Sequence, residues 1–150
     1  MRALVVAAIW LSMTLAVAAA PSTPAAVFRV FGLFGTWAAD CARPASLRNP
    51  YVRDFLNDAG AVAEEHHFGL GYAANHYDVL SAKRLSATEV ELEVRFEPGD
   101  EAVHRQTLVM RVADGRRRTL FNQPAGGKVR VKDGVALGLG VETPTLRKCE

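Results

Sequence analysis

Four polar residues occupy positions where the pattern of apolar residues predicts that side chains point into the protein: Glu64, His66, His104 and Gln106. They occupy every second position together with apolar residues of two predicted strands. These apolar residues are Val62 and Phe68 in the first strand and Leu108, Met110 and Val112 in the second. Because alternate residues of a strand share a face, burial of the apolar set would bring the four polar side chains to one interior or to its mouth. The chemistry expected there is a polar-tipped pocket for a small ligand, or a metal site with His and carboxylate ligands.

The same four positions have a simpler interpretation, in which they are rim residues where the strands emerge into water. Catalysis has less support, because the chain contains neither a G-x-S-x-G nucleophile motif nor an H-E-x-x-H metal motif. The titratable run from Glu64 to His67 does not gather on one face, since neighbours on a strand point to opposite sides. We therefore predict no catalytic residue, no metal ligand and no cofactor.

The elements that would position these residues are short strands, separated at nearly even intervals by turn residues. The predicted turns are Asn57–Gly60, Ser86–Thr88, Pro98–Asp100, Asp114–Gly115, Pro124–Gly127 and Asp133–Gly134. Between residues 88 and 97, charged and apolar residues alternate without interruption, as in an antiparallel strand with one buried face. The spacing predicts an all-β fold, an antiparallel up-and-down barrel of eight or nine strands, with a short helix before Gly35.

The chain begins with a pattern typical of a secretory signal peptide. Arg2 precedes an apolar run from Ala3 to Val17, and three alanines follow. We predict a signal peptide over residues 1–20 and a single β-barrel domain over residues 21–150. A periplasmic or secreted protein of a Gram-negative bacterium is expected, with no stable membrane insertion after cleavage. The alternative is an uncleaved membrane anchor.

The charge balance gives little reason to expect a polyanionic partner. Removing Arg2 from the 18 Lys and Arg residues leaves 17 against 16 Asp and Glu, which does not favour nucleic acid or an anionic membrane. The one basic cluster, residues 116–118, follows the predicted Asp114–Gly115 turn. We interpret this cluster as a solvated hairpin shoulder, and the alternative is a patch for phosphate or an acidic partner.

The two cysteines, Cys41 and Cys149, are predicted to form a disulfide. An exported chain with an even number of cysteines favours a disulfide over metal binding or catalysis. A C-x-x-C redox pair is absent, and two thiols are too few for structural zinc. A bridge across so long a loop contributes about 4 to 5 kcal/mol in the chain-entropy model.

The segment Gly35-Thr36-Trp37 resembles the G-x-W motif of the lipocalin and calycin barrels. The resemblance implies that Trp37, in the first strand, closes the narrow end of the barrel. It also implies that a basic residue of the last strand, Arg147 or Lys148, stacks over the indole. The chain is similar as well to small exported proteobacterial proteins with a G-T-W…C head and a T-P-x-L-x-K-C tail.

The direction of the strands conflicts with the predicted disulfide. In an eight-strand meander the first and last strands are antiparallel, so Cys41 and Cys149 would lie at opposite ends of the barrel, beyond disulfide reach. Either residues 135–139 form an additional short strand, or the connection over residues 42–50 folds back. We favour the additional strand.

The sequence is compatible with two functions. The first is a binding module for a small apolar or amphipathic ligand, and its mark would be an interior void of about 300 Å³ or more with convergent polar groups. The alternative is a protein-interaction module, such as an inhibitor or envelope accessory protein, that acts through its outer surface. Val103 and Val109, on the outer face of one strand, give that alternative slight support. The sequence identifies no particular protein partner.

Overall fold

The structure is a computed structural model, and it describes residues 23–97 and 104–149. The predicted signal peptide, residues 1–20, lies outside the described residues. Within them are one helix and eleven strands: α1 (Pro24–Val30), β1 (Gly35–Ala38), β2 (Tyr51–Leu56), β3 (Val62–His67), β4 (Asn75–Arg84), β5 (Glu89–Glu97), β6 (His104–Ala113), β7 (Arg116–Pro124), β8 (Val131–Lys132), β9 (Val135–Ala136), β10 (Val141–Glu142) and β11 (Leu146–Cys149).

Eight of these strands form a closed antiparallel barrel. Strands β1 to β7 pair in sequence order, and β11 pairs with both β7 and β1 to complete the circle. The three short strands β8, β9 and β10 form an extension that pairs with β7 at Asn122 and is antiparallel throughout. The predicted all-β up-and-down barrel with a short helix on its N-terminal side is confirmed.

Alternation along the strands separates the core from the outer surface. In β5, Val90, Leu92, Val94 and Phe96 are buried, whereas the intervening glutamates and Arg95 face outward. Apolar side chains from α1, from the loop after it and from the other long strands join the same cluster. The regular period of two therefore accounts for which residues fill the barrel.

Helix α1 and the residues after it plug one end of the barrel. The Thr23 hydroxyl accepts a hydrogen bond from the Ala26 amide at 3.2 Å and so caps the first turn of the helix. Phe28 and Leu33 are fully buried, and the Trp37 indole Nε1 donates to the Leu33 carbonyl at 2.7 Å. The segment that follows the helix is thus joined to β1 by a buried hydrogen bond as well as by apolar packing.

The connection from β1 to β2 folds back toward β11. Cys149 lies opposite Thr36, and a straight continuation of β1 would carry Cys41 about 16 Å beyond that residue. Instead the Cα atoms of Cys41 and Cys149 are 5.6 Å apart, and the two residues form a disulfide. The buried amide of Asn49 holds the returning loop, because its Nδ2 donates to the Asp40 carbonyl at 2.9 Å and its Oδ1 accepts from the Asp40 amide at the same distance.

The predicted disulfide is confirmed, but the favoured explanation for it is wrong. Residues 135–136 do form a short strand, β9, yet β1 and β11 remain antiparallel neighbours. The folded-back connection over residues 42–50 brings the two cysteines together. Its signal in the sequence was Pro44 and the Asn49-Pro50 pair, which prevent a regular element from forming over that connection.

Removing the disulfide is expected to lower the free energy of unfolding by about 2 to 5 kcal/mol, because the unfolded chain then regains the freedom of a long loop. The measurement is urea unfolding of the double variant Cys41→Ser/Cys149→Ser. A matched comparison is the original protein in reducing agent, which should become as unstable as the variant. Equal stability of the oxidised protein and the variant would contradict the prediction.

Candidate functional site

Three charged side chains meet inside the barrel from β2, β3 and β7. Asp54 and Glu64 lie directly opposite each other on paired strands, so both point to the same face. Arg117 Nη1 lies 2.6 Å from Asp54 Oδ2, and Arg117 Nη2 lies 3.1 Å from Glu64 Oε2. All three residues are buried, and only 4% of Arg117 is exposed. We call Asp54, Glu64 and Arg117 the buried charge cluster.

The placement of Arg117 corrects the interpretation of residues 116–118 as a solvated shoulder. Arg116 is exposed and Arg117 belongs to the buried charge cluster. Arg118 holds the extension, because its Nη2 donates to the Gly134 carbonyl at 2.7 Å and its Nε to Thr143 Oγ1 at 3.1 Å. Three consecutive basic residues look equivalent in the sequence. They differ in burial in the structure, because successive residues of a strand point to opposite faces.

An irregularity in β7 explains why alternation along this strand was uninformative. The pairing with β6 shifts at Met110, so that residue pairs with Thr119 while Val109 pairs with Phe121. The unpaired Leu120 therefore changes the side of the strand that faces inward. Arg117 is buried on one side of the shift and Asn122 on the other, although one position is odd and the other even.

Burial and mutual contact shift the pKa values of the two carboxyl groups of the cluster in opposite directions. Burial raises the pKa of Asp54 well above its ordinary value, against the opposing effect of Arg117. Burial also opposes ionisation of Glu64, but Arg117 and His66 outweigh it and lower the pKa of Glu64 far below normal. The two carboxyl groups raise the pKa of Arg117 despite its burial. Within the cluster, the pKa of Asp54 is therefore shifted up and the pKa of Glu64 is shifted down.

A row of rings continues from the cluster across four neighbouring strands. His66 Nε2 lies 2.6 Å from Glu64 Oε1, and the His66 ring is 4.7 Å from that of Tyr77, centroid to centroid. Tyr77 stacks on Phe96 at 4.5 Å, and Phe96 meets His104 edge-on at 5.2 Å. Burial raises the pKa of the Tyr77 phenol, so the hydroxyl group remains uncharged. This ring row forms one wall of the barrel interior.

A cavity of about 260 Å³ is lined by Glu64 and Arg117 of the buried charge cluster and by His66 and Tyr77 of the ring row. Its polar lining includes Glu64, His66, Tyr77, Arg117 and Asn122. The apolar lining includes Val52, Leu108, Met110, Val131, Pro144 and Leu146. The extension contributes Val131 from β8 to this lining. Thr143, which directly follows the extension, also lines the cavity. The cavity therefore has a charged but internally paired floor, apolar sides and an aromatic wall.

Of the four predicted lining residues, the structure brings Glu64 and His66 to the cavity. His104 and Gln106 are not part of its lining. Gln106 is buried behind it, where its Oε1 accepts from Asn122 Nδ2 at 2.6 Å and its Nε2 lies 2.9 Å from His104 Nε2. These two residues orient Asn122 rather than facing the cavity themselves.

Trp37 lies beneath the buried charge cluster at the plugged end of the barrel. The guanidinium carbon of Arg117 is 5.3 Å from the indole centroid, and Lys148 Nζ is 5.6 Å from it. Lys148 Nζ also donates to the Gly32 carbonyl at 2.9 Å. Arg147 points elsewhere and forms an ion pair with Asp40 at 3.1 Å. The indole therefore contacts two cations, one of which sequence reasoning did not anticipate.

Gly35 makes room for this arrangement. Its φ of +123° is a conformation that residues with a side chain rarely adopt. A Cβ atom at this position would also lie 3.0 Å from Lys148 Cε. The glycine of the Gly35-Thr36-Trp37 segment is thus required both by its backbone and by the close approach of Lys148.

Neither metal-binding clusters nor similarity to known proteins assigns a function to the described residues. Within residues 23–97 and 104–149, no group of three or more His, Cys, Asp or Glu side chains is arranged to hold a metal ion. No helix in that part of the chain is long and apolar enough to cross a membrane. Comparisons with protein families, curated proteins and solved structures find no match to this chain.

Proposed function

We propose that this protein binds a small amphipathic molecule in the cavity lined by residues of the buried charge cluster and of the ring row. The observation that carries the proposal is the cavity itself, about 260 Å³ in volume, with apolar sides and convergent polar groups. Well-packed protein interiors contain few voids larger than a water molecule. The empty space also adjoins side chains whose ionisation is strongly shifted, and such groups cluster at functional sites.

The size of the cavity restricts the ligand. Pockets for drug-sized molecules begin at about 300 Å³, slightly more than this cavity offers. An engineered apolar cavity of about 150 Å³ holds benzene, so the present volume accommodates one substituted ring. We therefore expect a ligand of a single ring or of comparable bulk.

The charges of the cavity floor favour a ligand with little net charge. Arg117 is paired with Glu64, and the raised pKa of Asp54 favours its neutral form. Tyr77 is uncharged. A free anion or cation would have to compete with these internal pairs while losing its own hydration, which is costly in a buried site. An uncharged molecule with one or two polar groups avoids that cost.

Filling the cavity is expected to weaken binding strongly without disturbing the outer surface. The test is fluorine NMR of fluorobenzene with the disulfide-bonded protein and with Leu108→Phe, whose larger ring would occupy the lining position. Leu80→Phe is the matched control, because Leu80 is an exposed residue of β4. We expect the original protein and Leu80→Phe to bind alike and Leu108→Phe to bind at least about 10-fold more weakly, or about 1.4 kcal/mol. Absence of binding to all three proteins, or equal binding by all three, would contradict the proposal.

An exposed apolar patch favours the second candidate, a protein-interaction module. Leu47 in the β1–β2 connection and Leu70 and Tyr72 in the β3–β4 connection all expose more than half of their surface. These three residues line one shallow depression beside Phe68. Grouped apolar side chains on a surface mark interaction sites more often than scattered ones. A partner captured by the original protein and by Leu108→Phe, but not by Leu70→Ser, would support this candidate.

We also propose that the barrel is lipocalin-like and acts in the periplasm or after secretion. The closed eight-strand barrel supports the first part, together with the Gly35-Thr36-Trp37 segment and the contact of Lys148 with Trp37. The Cys41–Cys149 disulfide supports the second part, because disulfides persist in oxidising compartments. Fractionation of cells that express the full chain, followed by mass measurement of the product, tests both export and cleavage near residue 20.

A further inference from the structure

The exposed apolar patch lies at the end of the barrel opposite helix α1. Tyr51, the first residue of β2, pairs with His67, the last residue of β3, so the β1–β2 and β3–β4 connections leave the barrel side by side. The start of helix α1 instead lies beside Gly60, in the turn at the other end of the same two strands. The length of the strands therefore separates the patch from the plugged end.

The two connections that carry the patch hold each other in place. A pair of backbone hydrogen bonds, 3.0 and 3.1 Å long, closes a tight turn that has Leu47 and Arg48 at its tip. Gly69 of the other connection lies against this turn. A Cβ atom at Gly69 would be 2.5 Å from the Ala45 carbonyl oxygen, which leaves room for glycine alone. The exposure of the patch is thus a property of two packed connections.

The β3–β4 connection is apolar although it faces the solvent. Residues 68–74 have the sequence Phe-Gly-Leu-Gly-Tyr-Ala-Ala, and all of them except the first two are exposed. Leu70 is fully exposed between two glycines, so it projects without neighbouring walls. A fluid lipid phase closes around such a side chain. A protein partner would instead need a well-packed pocket to receive it.

The charge beside the patch is positive. Arg48 lines the same depression as the three apolar residues, it is exposed, and within the described residues it forms no ion pair. Among the described residues that line the depression there is no Asp or Glu. Asp40, the one acidic residue between positions 39 and 50, is already paired with two arginines, at 3.1 and 3.3 Å. The near balance of charge over the whole chain conceals this local excess.

From this combination we propose that the exposed apolar patch docks on the surface of a lipid bilayer that contains anionic lipids. Leu47 and Leu70 enter the edge of the hydrocarbon region. Tyr72 and Arg48 keep their polar ends among the headgroups, where aromatic and long basic side chains are favoured. Apolar burial and attraction to anionic lipids both strengthen such binding. This role goes beyond ligand binding in the cavity and does not depend on it.

The cavity lies close to the docking surface. Phe68 lines the depression and His66 lines the cavity, and the centroids of their rings are 6.4 Å apart. Pro50, which also lines the cavity, follows the turn that carries Arg48. Docking would therefore hold the cavity near the bilayer, into which amphipathic molecules partition.

The first test is flotation of the disulfide-bonded product, recovered from cells that express the full chain, with vesicles of equal parts phosphatidylcholine and phosphatidylglycerol. We expect Leu70→Ser to bind these vesicles at least about 10-fold more weakly than the original protein, or about 1.4 kcal/mol. Leu85→Ser is the matched control, because Leu85 is an exposed leucine that follows β4 at the plugged end. It should bind like the original protein.

A second pair of variants tests the role of charge. Arg48→Gln and Lys83→Gln each remove one positive charge, but Lys83 is an exposed residue near the end of β4 that lies away from the patch. Arg48→Gln should weaken binding to the mixed vesicles about 5-fold, the effect of one basic residue near an anionic surface. Lys83→Gln should bind them like the original protein. Both variants should bind vesicles of pure phosphatidylcholine equally.

Quenching of tryptophan fluorescence by lipids with brominated acyl chains locates the contact. Tyr72→Trp places an indole in the patch, and Leu85→Trp places one at the plugged end. Trp37 is buried and contributes the same background to both variants. We expect the brominated vesicles to quench the added indole of Tyr72→Trp and not that of Leu85→Trp. The comparison remains valid if the apolar run over residues 3–17 is still present, because both variants would carry it.

The outcomes separate this inference from the other proposals. Flotation of none of the proteins, or equal quenching of the two added indoles, would overturn it. A protein captured through Leu70 in the absence of vesicle binding would assign the patch to a protein partner instead. Leu70→Ser should bind fluorobenzene like the original protein, so failure of the docking experiments leaves the cavity proposal standing.

Discussion

Replacing Arg117 with methionine is expected to lower the free energy of unfolding by about 3 to 5 kcal/mol, the usual cost of removing one partner from a buried ion pair. Methionine preserves much of the length and apolar surface of the arginine side chain. It removes the positive charge that faces Asp54 and Glu64 at 2.6 and 3.1 Å. Two buried carboxyl groups would then remain with no cation between them. The loss should be smaller in acid, because protonation of Glu64 removes the buried negative charge that Arg117 balances in the original protein.

The control for this effect is Arg116→Met, at the exposed neighbouring position. It should change the free energy of unfolding by no more than about 0.5 kcal/mol, as is usual for surface substitutions. Chemical unfolding of both variants, followed by far-ultraviolet circular dichroism, provides the measurement. Adding Asp54→Asn and Glu64→Gln to Arg117→Met should restore part of the lost stability. Equal stability of Arg117→Met and Arg116→Met would show that the cluster does not contribute in the way described.

Replacing Trp37 with alanine is expected to cost about 3 to 5 kcal/mol, the range for large aromatic residues removed from a core. Trp37 is 99% buried and forms the platform beneath Arg117. Its loss would leave a void next to Phe28 and Leu33 and would free the Leu33 carbonyl that accepts the indole hydrogen bond. The variant should unfold at a lower temperature and at a lower urea concentration.

The measurement for Trp37→Ala is circular dichroism, because the substitution also removes the only tryptophan within residues 21–150. Tyr72→Ala is a suitable control, since Tyr72 is an exposed aromatic residue of the β3–β4 connection. It should leave the unfolding midpoint within experimental error of the original value. An unchanged midpoint for Trp37→Ala would mean that the indole does not close this end of the barrel.

The barrel was predictable because its strands obey a simple rule. In β5 every second residue is apolar, and the same residues are buried in the structure. Turns rich in Gly, Asp and Pro separate the strands, and Asp114-Gly115 forms one of them with positive φ at both residues. Alternation also predicted the direction of two side chains of β3 correctly, since Glu64 and His66 both face inward. Local patterning was sufficient wherever a strand was regular.

The other half of the site was not predictable, because it depends on pairings between distant segments. Arg117 joins Asp54 and Glu64 across more than fifty residues of sequence. Nothing in the run of three arginines distinguishes its middle member, and the shift beside Leu120 interrupts the alternation that would have done so. The volume of the cavity depends likewise on the extension, which forms part of its wall. Predicting such features requires knowledge of which residues pair between strands, and the pattern of a single sequence does not provide it.

The position of β11 in the circle has a consequence for the order in which the protein assembles. This strand follows all the others in the chain, yet it fills the gap between β1 and β7. While the chain is being made, both of those strands keep a free edge, and free edges readily pair with other chains. The barrel can close only after residues 146–149 have been added, so the strands before β11 cannot complete it on their own. Until β11 is in place, the edges of β1 and β7 are the places where two copies of the unfinished barrel would associate.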